Sequence, residues 1–296
     1  STPSNSSAAS DVYKRQGLRL DEIRTILDKA VTTLAGISGV EAIVLGGSRA
    51  RGTHAQTSDI DIGVYYGRTA FDLVALNKAA QLLDDEHREN LVVPPGAWGN
   101  WVNGGGWLIM NGYHVDLILR DIERVENVIA ECREGNLSAH YQTGHPHAYI
   151  NSMYMGELAI CKILWDKQGR VFARKSVAEQ YPPKLKKAIV GFFGFEAGFS
   201  CMFAESSATK DDVYYVTAHI VRAVSALNQV LFAINEQYCI NEKKAVSMID
   251  HFHIHPIGYK EKVNSIFAAA GTDSTNACSQ LRELINEVNG LVPIHE

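Results

Sequence analysis

Asp59 and Asp61 stand two residues apart in Ser58-Asp59-Ile60-Asp61-Ile62, within a stretch from Ser58 to Tyr66 that alternates polar and apolar residues at its start. Such alternation is the pattern of a β-strand, where residues i and i+2 project from one face. Two carboxylates side by side repel unless a cation lies between them. Hard oxygen donors on one face suit Mg²⁺, which keeps its remaining positions for water and substrate phosphates. Upstream, the short apolar run Val40–Leu45 ends at Gly46-Gly47-Ser48. A strand running into two glycines brings bare backbone close to a phosphate. The Ser48 hydroxyl and the amides of the following turn can then donate to its oxygens. A third acid, Asp116, is isolated in the apolar run His114-Val115-Asp116-Leu117-Ile118. It is the candidate to complete a two-metal site or to act as a base. An Asp-x-Asp by itself is most often a pair of surface acids. The preceding strand–glycine–serine turn and the later in-strand aspartate are what turn the reading toward chemistry.

These side chains need a scaffold. Leu18 to Leu34 carries apolar residues at helical spacing, Val40–Leu45 suits a buried strand, and Phe71 to Glu89 returns to helical periodicity. Trp107–Met110 and Tyr113–Leu119 are β-prone runs separated by Asn111-Gly112, the strongest short hairpin signal. A helix is expected from about Ile122 to Glu134. From about Tyr149 the strand signals vanish and helical patterns follow one another: Ile150 to Asp166, Lys184 to Glu205, Asp211 to Tyr238, Glu242 to Phe252, and two more. The boundary is expected in the loop near Gly144-His145-Pro146. Three parts result: a leader over 1–16, an α/β domain over 17–145, and a helical bundle over 146–296. The leader is rich in Ser and Asn and reads as disordered.

The bulk numbers exclude some functions. The chain of 296 residues is 46% hydrophobic and 21% charged, with net charge −5 and a pI near 6.1. That balance is globular and lacks the basic stripe that an extended nucleic-acid surface needs. The five cysteines are scattered without a C-x-x-C pair and read as reduced thiols. The polar N-terminus has no apolar signal region. The apolar run Ala188 to Phe203 is short and carries Glu196, so a buried helix is preferred to a membrane span. A soluble, cytoplasmic protein is expected.

Gly46-Gly47-Ser48 … Ser58-Asp59-Ile60-Asp61-Ile62 … Val115-Asp116-Leu117 resembles the signature of the polymerase-β-type nucleotidyltransferase superfamily over roughly the first half of the chain. The resemblance implies a mixed sheet flanked by helices, an NTP donor (ATP by preference), two Mg²⁺ ions, and nucleotidyl transfer with release of pyrophosphate. It assigns Gly46, Gly47, Ser48 and Ser58 to nucleotide binding. One ion falls to Asp59, Asp61 and Asp116, a second to Asp59 and Asp61. In the second half, Lys162-Ile163-Leu164-Trp165, Gly169 and Lys175-Ser176-Val177-Ala178 are similar to the helical domain of aminoglycoside adenylyltransferases that modify streptomycin and spectinomycin. That likeness implies that Lys162, where the family usually has Arg, and Lys175 reach the triphosphate, that Asp116 is the catalytic base, and a link to antibiotic resistance. The family's acceptor-binding acids have no residue-by-residue match here. The chain also resembles bacterial nucleotidyltransferase-domain proteins with an appended helical bundle.

The expected function is therefore transfer of a nucleoside monophosphate to a hydroxyl of a small molecule. The alternatives are a protein- or tRNA-directed, antitoxin-like transferase and a catalytically silent nucleotide sensor. Several residues carry two readings. Arg49 and Arg51 either touch phosphate or are solvated. Trp98, Trp101 and Trp107 either stack on a base or sugar or pack the hairpin. Glu196 is taken first as an internal ion pair and second as a substrate contact. His145 and His147 are expected in an exposed loop, and His251, His253 and His255 as histidines outside any metal set.

Overall fold

The computed structural model describes residues 21–293, so the expected leader and the expected helix start at Leu18 lie outside the described residues. The chain forms two compact units: one runs to Arg124 and takes in Ile160–Ala173, the other holds Val125–Ala159 and the chain from Arg174.

The first unit is built on a mixed sheet. Helix α1 covers residues 21–34. Strand β1 (Val40–Leu45), helix α2 (Gly47–Arg51), strand β2 (Ile60–Tyr66), helix α3 (Leu73–Leu83) and the hairpin β3 (Gly104–Met110) and β4 (Tyr113–Asp121) follow. Helix α4 (Ile122–Arg133), short strands β5 (Ala139–His140) and β6 (Tyr149–Ile150), helix α5 (Met153–Ile160), strand β7 (Lys162–Asp166) and helix α6 (Arg170–Ala178) come next. The five-stranded sheet has the order β3-β4-β2-β1-β7. Only β2 and β4 pair in parallel; β1–β2, β1–β7 and β3–β4 are antiparallel. One face carries Ile60, Ile62, Val64, Val115, Leu117 and Leu119, buried with Ile26 and Leu34 of α1 and Leu76 and Leu83 of α3. Each such side chain contributes about 1.5–3 kcal/mol of burial.

The hairpin forms at Asn111-Gly112 as expected. Both residues have positive φ, 50° and 76°, which the tight primed turn requires. The end of α3 holds that hairpin. Asp85 accepts from the Asn111 and Gly112 amides at 2.9 and 2.8 Å. The buried Asp84 accepts from the Ile109 amide at 2.8 Å and from the Arg88 guanidinium at 2.6 and 2.9 Å.

One expected helix is in part a strand. Ile150 to Asp166 divides into α5 and β7, and β7 pairs along β1 with Leu45 opposite Lys162 and Ala42 opposite Asp166. A five-residue segment has little helical stability of its own. Backbone pairing to the open edge of β1 decides its conformation. The loop near residue 145, expected to divide the chain, lies inside the second unit because β7 returns to the sheet and most of α4 belongs with the helices.

The second unit is helical, with α7 (Pro183–Ser207), α8 (Val213–Ile234), α9 (Ala245–Ile249), α10 (Tyr259–Ala270) and α11 (Ser274–Leu291). Asp212 and Asp273 cap α8 and α11 by accepting from the amides of Tyr215 and Asn276. By length and composition alone α7 and α8 could each cross a membrane. The apolar stretch of α8 is 67% buried inside the bundle, whereas that of α7 is 33% buried and turns Phe192, Phe195, Phe199 and Met202 outward. Glu196 on α7 is ion-paired with Arg222 and with His147 at 3.3 Å, the first of its two expected readings. Burial pushes its carboxyl up, and the His147 and Arg222 contacts outweigh that, leaving it below the usual range. The two loop histidines are not exposed. His145 contacts Glu242 at 3.0 Å, and the side chains of His145 and His147 are 11% and 5% exposed. Two half-buried carboxylates draw them in, a pairing that sequence distance hides.

The Arg88 guanidinium first, with the Ile109 amide assisting, holds the Asp84 carboxyl well below the usual aspartate range. A depressed carboxyl stabilises the fold above its unfolded pKa of about 3.9 and loses that contribution as pH falls. Asp84→Ala should cost about 2 kcal/mol at neutral pH, since it strands a buried amide and a guanidinium. The gap to wild type should narrow below about pH 4, read by urea denaturation across pH.

Candidate active site

The parallel pairing of β2 with β4 aligns Ile60 with Val115, Asp61 with Asp116 and Ile62 with Leu117. Because the isoleucines, Val115 and Leu117 are buried in the core, Asp61 and Asp116 project from the opposite face, side by side. Asp59 lies just before β2, which begins at Ile60 rather than at Ser58, and is exposed. Burial raises the Asp116 carboxyl above its usual range. The Asp59 charge raises it further, and His114 on the same strand opposes. The carboxylates thus sense one another across two strands.

The glycine turn is fitted to this pair. The Gly46 amide donates to the Asp61 carbonyl at 2.8 Å. Gly47 opens α2 with φ +59°, and a Cβ there would lie 1.8 Å from Asp61 Oδ2. Only glycine can occupy the position without displacing the carboxylate. Ser48 follows in the first turn of α2, partly exposed.

Arg49 has a role that neither expected reading described. It is 8% exposed, and its guanidinium donates to the Ser58 carbonyl at 2.5 Å and to the Asp59 carbonyl at 3.0 Å. It latches the loop that delivers Asp59 to the sheet. No local pattern marks such a residue, since its partners lie nine and ten positions ahead. Ser58, expected among the nucleotide-binding residues, has its hydroxyl accepting from the Ala55 amide at 2.9 Å, which shapes the same loop.

The two lysines are placed differently from expectation. Lys162 is not on a helix of the bundle; it opens β7 of the sheet, exposed, opposite Leu45. Cross-strand neighbours share a face, so its Cβ lies on the face of Leu45 and Ile62 rather than that of Asp61. Lys175 lies in the helical unit. Its ammonium donates to the Ala159 carbonyl at 2.7 Å and pairs with Glu179 at 2.9 Å. It thereby occupies an orphan carbonyl at the end of α5. The tryptophans also separate. Trp101 is buried under the Arg124 guanidinium, 4.4 Å from its ring centre, whereas Trp98 and Trp107 stack with centroids 4.8 Å apart.

Three carboxylates, two of them locked in register, are a donor set suited to a hard divalent cation. Among the described residues no three His, Cys, Asp or Glu side chains converge closely enough to enclose an ion as they stand.

Residues 20–134 match the family model of the nucleotidyltransferase domain. That segment carries a nucleotidyltransferase domain. It holds β1, the glycine turn, all three carboxylates and the hairpin, while β7 adds an edge strand from outside the matched span. No curated protein matches the chain. A crystal structure of a nucleotidyltransferase-like protein from Exiguobacterium sibiricum aligns over 89% of this chain and 73% of that one, at 11% identity and a TM-score of 0.40. The nucleotidyltransferase domain implies an NTP substrate and a divalent metal cofactor, and the helical C-terminal region follows it.

Two substitutions test this geometry. Gly47→Ala should destabilise by about 1–3 kcal/mol through its positive φ and should displace Asp61, read by denaturation and by a crystal structure of the variant. Asp116→Asn should act oppositely in EDTA. A carboxyl whose folded pKa is raised costs stability above that pKa, and the cost fades as pH falls toward the unfolded value. The variant should be more stable than wild type at pH 7 and should lose that advantage as pH falls into the usual aspartate range, read by urea denaturation across pH.

Proposed function

We propose that this protein transfers a nucleoside monophosphate, AMP from ATP by preference, to a hydroxyl of a small molecule with release of pyrophosphate. The observation that carries the proposal is the register that sets Asp61 beside Asp116, with Gly47 closed against Asp61. The nucleotidyltransferase domain over residues 20–134 supports it.

Asp59, Asp61 and Asp116 would hold the divalent ions, and Gly46-Gly47-Ser48 would cradle the phosphates with backbone amides and the Ser48 hydroxyl. When bound, Mg²⁺ neutralises the triphosphate and acidifies the attacking hydroxyl. Asp116, aligned with Asp61 across the β2–β4 pairing, accepts the hydroxyl proton. The acceptor oxygen forms a bond to the α-phosphorus as the bond to the bridging oxygen of pyrophosphate breaks. Lys162 stands opposite Leu45 with its Cβ on the face away from Asp61, so only its exposed four-carbon stem, bent around the end of the sheet, would bring its ammonium to the leaving phosphates. Lys175 is left out of this role because Ala159 and Glu179 hold its ammonium. The net charge of −5 favours a small acceptor over nucleic acid.

Thermal shift with ATP, GTP, CTP and UTP, with and without Mg²⁺, tests the proposal. One nucleotide should stabilise wild type only with Mg²⁺, by about 2.7 kcal/mol at a hundredfold excess over Kd. The effect should vanish in Asp59→Asn/Asp61→Asn. Absence of a shift with all four nucleotides would overturn the proposal.

A further inference from the structure

The transfer just described uses neither Trp98 nor Trp107, yet the sheet delivers both to the carboxylate face. In the antiparallel pairing of β3 with β4, Trp107 stands directly opposite Asp116. Directly opposed residues share a face, with Cβ atoms about 4.5–5.5 Å apart. Burial agrees: Leu108, next along β3, is in the core, and Trp107 is 62% exposed. Trp98 lies over Gly105, two residues back on the same face, where a Cβ would come within 2.6 Å of its ring. Trp98 stacks on Trp107 with an interplanar angle of 26°. One indole therefore braces another that is largely in solvent, beside a carboxylate. Packing of the hairpin accounts for Trp101, which is buried, but not for the exposed Trp107.

Position along the sheet says which reactant would use this surface. In the order β3-β4-β2-β1 the features run Trp107, Asp116, Asp61 and then the glycine turn that ends β1. Asp116, the proton acceptor, separates Trp107 from the phosphate turn. A ring on Trp107 is thus on the hydroxyl's side of the reaction. The short span from the indole to Asp116 adds a second constraint: a hydroxyl that reaches Asp116 while its molecule lies on Trp107 must be borne on the ring or one bond from it.

We infer that Trp107, braced by Trp98, is an acceptor-binding residue, and that the acceptor is a hydroxylated ring lying flat on the indole with its hydroxyl toward Asp116. The inference rests on the nucleotidyl-transfer reading of the site. A saccharide or cyclitol ring and the sugar of a nucleoside share this chemistry.

Saturation-transfer NMR on the full chain with Mg²⁺ and α,β-methylene-ATP distinguishes them. The probes are methyl α-D-glucopyranoside, myo-inositol and uridine, with glycerol as an acyclic control. At least one ring probe should receive saturation on wild type and glycerol none. Signal from uridine alone assigns the nucleoside, and signal from the other two the carbocycle or pyranose. Trp107→Ala should abolish the signal and Trp107→Phe should keep part of it. Affinity for the ATP analogue should stay within about twofold of wild type in both variants. Three results overturn the inference: no ring probe bound by wild type, signal unchanged in Trp107→Ala, or analogue affinity weakened about tenfold, 1.4 kcal/mol, which would give the platform to the donor base. Failure of the transfer reading itself would show separately, as no binding of the analogue to wild type.

Discussion

The parallel pairing of β2 with β4 is the constraint on which the rest of the site depends. It is the single parallel contact in the main sheet, and it sets two carboxylates on adjacent strands at the same height. Asp116 there has a raised proton affinity, from burial first and from the nearby Asp59 charge second. The pairing survives because the reverse face buries Ile60, Ile62, Val64, Val115, Leu117 and Leu119. A slip of one residue would drive the aspartates into that core and expose its apolar side chains. Hydrophobic burial on one face thus fixes where the two carboxylates stand on the other.

The surrounding elements hold that register from three sides. Asp84 and Asp85 at the end of α3 grip the β3–β4 hairpin by its amides. Arg49 holds the Ser58 and Asp59 carbonyls, so the loop carrying the third acid is fastened to α2. Asn103, with positive φ, donates to the Tyr66 hydroxyl and the Leu119 carbonyl and accepts from the Gly96 amide, tying the glycine-rich loop to the ends of β2 and β4. Each of these is a polar side chain serving main-chain groups. Backbone partners of that kind set strand positions more firmly than contacts between flexible side chains.

The helical unit follows a different logic. Its long helices pack by apolar faces, and its polar interior is a small network in which Glu242 takes His145 and Glu196 takes His147 and Arg222. Lys175 belongs to the same economy of internal pairing, engaged with the end of α5 and with Glu179. A basic residue at a familiar spacing can therefore be structural, because a helix end offers carbonyls that attract an ammonium as a phosphate would.

The amino-acid sequence by itself determined that Asp61 and Asp116 sit within strands, and gave away the strands β1, β2 and β4, the hairpin turn and the long helices α7 and α8. Those signals are local: alternation that sets Asp61 against Ile60 and Ile62 on a strand, glycines required by backbone geometry at Gly47 and Gly112, and apolar periodicity along a helix. Only the tertiary structure decided that Lys162–Asp166 is a strand, that Arg49 is a latch, that His145 and His147 are paired and half-buried, and that Trp107 faces Asp116 while Trp101 does not. Each of these depends on a partner distant in the chain, an open strand edge, a carbonyl in another loop or a carboxylate on another helix. Local propensity holds no record of such partners, and pairing with them outweighs it.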